Sequence, residues 1–81
     1  MSVTYYVALP FVQTEGGIAA SQAMECPNEP AALRRAEVMA RSPAYVGALA
    51  FKLTGDPSLG SFGDATVLRT FGIVPDNLDE L

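Results

Sequence analysis

Ten consecutive residues near the start of the chain, Val3-Thr4-Tyr5-Tyr6-Val7-Ala8-Leu9-Pro10-Phe11-Val12, carry no charge and are rich in β-branched and aromatic side chains. Such a run reads as a strand. Successive side chains of a strand point to opposite faces. Val3, Tyr5, Val7, Leu9 and Phe11 therefore share one face, and Tyr6, Ala8 and Val12 share the other. Both faces are largely apolar, which places this strand in the middle of a sheet. Pro10 cannot donate a ladder hydrogen bond, so regular pairing should loosen near it.

Gln13-Thr14-Glu15-Gly16-Gly17 reads as a turn, with glycines free to take positive φ. Ile18 to Glu25 follows as a second strand, although alanine and serine are weak strand formers. Pro27-Asn28-Glu29-Pro30 opens a helix: Asn28 caps orphan amides, Glu29 suits the positive end of the dipole, and Pro30 is tolerated in the first turn. Ala32, Leu33, Ala36, Met39 and Ala40 recur at helical spacing and form its buried stripe, while Arg34, Glu37 and Arg41 face water. Ser42-Pro43 ends it, because the residue before proline disfavours helical ψ. Ala44 to Leu53 reads as a third strand, and Thr54 to Gly63 as a glycine-rich loop.

Asp64 to Phe71 fits two structures. Ala65, Leu68 and Phe71 sit three apart between a possible cap, Asp64, and a possible stop, Gly72, which spells a short helix. Val67 with Thr66 and Thr70 equally fits a fourth strand. The spacing favours the helix. Pro75 to Leu81 is acidic, and residues 76–81 read as a frayed tail behind a single domain of residues 1–75.

The expected fold is α+β with a β-β-α-β core. A hairpin and a crossover give a three-stranded antiparallel sheet, order 2-1-3, with the long helix on one face. A short C-terminal helix or fourth strand completes it.

Composition narrows the function. The 81 residues include 49% apolar and 17% charged side chains, no histidine, no tryptophan and one cysteine. A soluble domain averages about 25% charged residues. The missing histidine and single cysteine exclude a His-based triad, His-ligated zinc or haem, a C-x-x-C pair and an internal disulfide framework. Five basic residues against nine acidic ones leave a net charge of −4, with no basic run longer than two. Nucleic acid and anionic membrane are disfavoured partners on that balance. The uncharged N-terminus lacks the basic region of a secretory signal, and no apolar stretch approaches the ~18 residues of a transmembrane helix. The expected location is the cytoplasm.

The segment Ala50-Phe51-x-x-Thr54-Gly55-Asp56-Pro57-x-x-Gly60-x-Phe62-x-Asp64-Ala65-x-Val67-Leu68-x-x-Phe71-Gly72-x-Val74-Pro75 resembles one found in short bacterial proteins of unknown function. The resemblance covers about a third of the chain and implies only that the segment acts as a unit.

Five groups of residues are candidates for chemistry. Gly55, Asp56, Gly60, Phe62 and Asp64 belong to a loop that would lead into a helix N-terminus, a shape that cradles anions. It has no Gly-Lys-Ser/Thr end, its aspartates repel phosphate, and its simpler reading is a structured turn pinned by Leu59 and Phe62. Asp56, Asp64 and Asp76 are too few and too dispersed for calcium, which wants six to eight oxygen ligands; no metal and no cofactor is expected. Cys26 precedes a helix N-terminus but has no histidine partner, and reads as a small apolar residue. Tyr5 and Tyr6 point to opposite faces and with Tyr45 form no shared stacking platform. Arg34, Arg35 and Arg41, with Glu37 between, read as a solvated helix face.

No positioned acid, base or nucleophile emerges, so catalysis is not expected. Apolar strand surface exceeds what one helix covers, and such patches mark association. The expected function is a small interaction module that self-associates by packing sheet faces or pairing strand edges, with Tyr6, Ala8, Val46 and Ala48 at the interface. Two alternatives are a small-molecule or anion binder using loop 55–64, and an adaptor for a larger protein using the acidic tail.

Overall fold

A computed structural model describes residues 2–63 and 65–75. The chain runs β1 (Val3–Thr14), β2 (Gly17–Ala20), β3 (Met24–Cys26), α1 (Glu29–Arg41), β4 (Gly47–Asp56), β5 (Ser61–Phe62) and β6 (Thr66–Gly72). Among the described residues the architecture is α+β, with one helix and an antiparallel curled sheet. The sheet there has six strands rather than three. It is nevertheless four strands wide, since β2 and β3 share one edge of β1, and β5 and β6 share the outer edge of β4.

Pro10 explains the divided first edge. In an antiparallel strand a residue's N–H and C=O point the same way. The Pro10 carbonyl accepts from the Ser21 amide at 2.8 Å, so the missing N–H faces this edge. β2 pairs with Phe11–Thr14 and β3 with Tyr6–Ala8, leaving Leu9 and Pro10 as the gap. The single strand expected over Ile18–Glu25 is therefore two. On the other side β1 pairs with β4 without interruption from Val3↔Gly55 to Phe11↔Gly47.

The helix begins and ends as its sequence dictates. The Asn28 side chain accepts from the Ala31 amide at 2.9 Å, and Ser42 forms the C-cap before Pro43. Ala32, Ala36 and Met39 are buried against Ala8, Cys26, Ala48 and Ala50, with Tyr6, Leu33, Tyr45, Leu68 and Phe71 around them. Alanines on both sides let helix and sheet approach closely. The larger residues, Leu9, Phe11, Leu49 and Phe51, form a second buried cluster on the opposite face.

Residues 66–72 form a strand, not the favoured helix. A β-bulge lies between Ala50 and Phe51, where the β6 partners jump from Arg69 to Val67. The jump leaves Leu68 as the extra residue and reverses the side-chain alternation. Leu68 and Phe71 consequently both pack toward the helix, while Ala65 packs on the other cluster. An interval of three on one side of a strand imitates helical spacing.

Candidate functional site

The sheet face away from α1 divides into two regions. Near the start of β4, Leu9, Phe11, Leu49 and Phe51 are at most 9% exposed. Ile18, Val46, Ala65 and Val74 pack over them. The broad bare surface expected from sequence is therefore partly closed by the fold itself.

The same face opens toward the other end of β1. Tyr5 pairs with Leu53 and Val7 with Phe51 across the β1–β4 ladder. Glu25 opposes Val7 from β3, which brings its side chain to this face. On the far edge, Phe62 opposes Gly55 and its ring lies 5.9 Å from that of Tyr5, tilted by 54°. A Cβ on Gly55 would overlap Phe62 and the backbone of Ser61, so glycine is what permits this approach. Tyr5, Val7 and Leu53 form the floor of an open groove of about 380 Å³, with Ala23 and Glu25 on one wall and Phe62 on the other. Phe62 is 47% exposed.

The interface assigned from sequence needs correction. Ala8 and Ala48 have no exposed surface because they lie beneath α1. Tyr6 packs beside them, whereas Val46 packs against the opposite cluster. These four residues share no open surface. The matching signal in the sequence is the alanine stripe of the helix, which fits the alanine face of the strands rather than the leucine and phenylalanine face.

The loop residues are placed differently from expectation. β4 extends through Asp56, and a tight turn leads into β5. Asp56 Oδ1 accepts from the Ser58 amide at 3.0 Å and the Ser58 hydroxyl at 2.6 Å. These hydrogen bonds, first the hydroxyl's, hold the Asp56 carboxyl below its ordinary value of 3.8. The carboxylate thus takes up the local donors that an anion would need. Gly60 is exposed in the turn, and Leu59 is 78% exposed rather than pinned to the core. Asp64 lies outside the described residues, and the segment after it supplies no helix N-terminus. Among the described members of this set, Phe62 alone joins the groove.

Comparison with protein-family models, curated proteins and solved structures gives no match. Among the described residues no polar or charged side chain is buried, and no three His, Cys, Asp or Glu residues group to hold a metal. Asp64 and Asp76 of the weighed calcium set, and the tail of the adaptor reading, lie outside the described residues. Cys26 is buried, its thiol 3.7 Å from the Met24 carbonyl. Arg41 pairs with Glu37 on the helix surface, where Arg34 and Arg35 are exposed. Tyr6 and Tyr45 pack with the helix and Tyr5 on the other side. No described helix is long and apolar enough to cross a membrane.

Proposed function

We propose that this chain is a small non-catalytic interaction module of the cytoplasm that associates with a second copy through the helix-free face of its sheet. The contact surface is Tyr5, Val7, Leu53 and Phe62, in place of the residues beneath α1. The observation that carries the reading is that these four apolar side chains are contiguous and only partly buried. Contiguous apolar surface on a small domain favours association, and a two-fold axis lets one patch serve both partners. The experiment is light scattering at high micromolar concentration. The expected mass is that of a dimer, reverting to monomer in Leu53→Glu. Monomer alone at that concentration overturns the proposal.

A further inference from the structure

We propose that the groove beside Glu25 binds a small organic cation with an apolar tail, of which a primary alkylammonium ion is the simplest form. The inference concerns the same sheet face as the proposed function but does not require that copies associate. Its volume of about 380 Å³ lies within the ~300–1,000 Å³ usual for small-ligand sites. The floor is apolar and suits a hydrocarbon tail. The tilted rings of Tyr5 and Phe62 form an aromatic corner. The face of an aromatic ring attracts cations. Among the described residues Glu25 is the sole charged one in the lining. No hydrogen bond or ion pair engages its side chain among the described residues. The net charge of −4 adds a field that favours cations and opposes anions. Carboxylate, ring faces and overall charge therefore select the same sign of ligand.

The test is an amide-shift titration of the intact chain with n-hexylammonium, 1-hexanol and n-hexanoate, which share a tail and differ in head charge. The expected result is saturable shifts at Tyr5, Val7, Glu25, Leu53 and Phe62, strongest for the amine and weakest for the carboxylate. A ligand this small binds near the millimolar range. Glu25→Gln should weaken the amine by about two- to fivefold, the range of an exposed ion pair, and leave the alcohol unchanged. Phe62→Leu should weaken the amine by a similar factor, about two- to fivefold, through the lost ring face. Equal binding of hexanoate, an amine affinity left unchanged by Glu25→Gln, or no saturable shift in the groove overturns the inference. Light scattering on the same samples separates it from self-association. A chain that is monomeric at high micromolar concentration yet binds the amine removes only the dimer. The proposed dimer contact uses the same side chains as the groove, so the titration is run at a dilution where the chain is monomeric, and indifference to the amine there removes only the cation site.

Discussion

The Phe62 ring stands over Gly55, its partner across the β4–β5 ladder. Gly55→Ala would drive a methyl group into the ring and into the backbone of Ser61 and Phe62. Backbone cannot swing aside as a flexible side chain can. The expected cost is about 1–3 kcal/mol, the range for overpacking. Thermal denaturation should show a lower midpoint, and the Tyr5 ring protons should shift as Phe62 moves. A variant with the parent's midpoint and ring shifts would contradict the contact.

The two cores should answer differently to changes of size. Leu49 is fully buried among Leu9, Phe11 and Phe51, so Leu49→Ala should cost about 2–5 kcal/mol. Total stability for a domain of 81 residues is about 4–12 kcal/mol, so this change approaches global unfolding. Ala36 faces the opposite constraint, because it is fully buried in a cluster rich in alanine. Ala36→Leu should cost about 1–3 kcal/mol by forcing helix and sheet apart. Val38, 53% exposed on the outer helix face, should tolerate alanine within about 0.5 kcal/mol. Denaturant midpoints measure all three, and a harmless Ala36→Leu would refute the close approach.

Asp56 makes the β4–β5 turn sensitive to acid. Its pKa is lowered in the folded state, chiefly by the Ser58 hydroxyl. A depressed carboxyl pKa contributes stability above the unfolded value of 3.8 and loses it as pH falls through the folded value. Asp56→Ala should therefore melt earlier than the parent at neutral pH, and the gap should narrow as pH falls below 3.8. A gap that is constant across this range would rule out the linkage.

Cys26 should be protected rather than activated. It is 8% exposed and packed beside Ala8 and Ala32. Labelling by a thiol reagent at neutral pH should be slower than for a free cysteine model and should reach the model rate in denaturant. Faster labelling in the folded protein would indicate an activated thiolate.

The elements legible in the sequence are those set by local chemistry. Asn28 and Ser42-Pro43 mark the helix ends, and the uncharged run from Val3 marks a strand paired on both sides. Pro10 announces a disturbed ladder. What escapes local reading depends on pairing between distant residues. The bulge opposite Ala50 and Phe51 turns an interval of three into a one-sided strand pattern. The choice of sheet face for α1 depends on matching alanines drawn from the helix and from the two strands on either side of it in sequence. For the groove, Phe62 is visible as a loop aromatic. Glu25 reaches the same face only through its register with Val7.

Pro10 and the bulge at Leu68 have a joint consequence for behaviour in crowded solution. One flank of the sheet is cut into two short pieces, and the other is bent partway along. Neither flank offers a straight template on which strand after strand could stack. Concentrating this protein should therefore yield small closed particles and leave amyloid-like fibres unseeded.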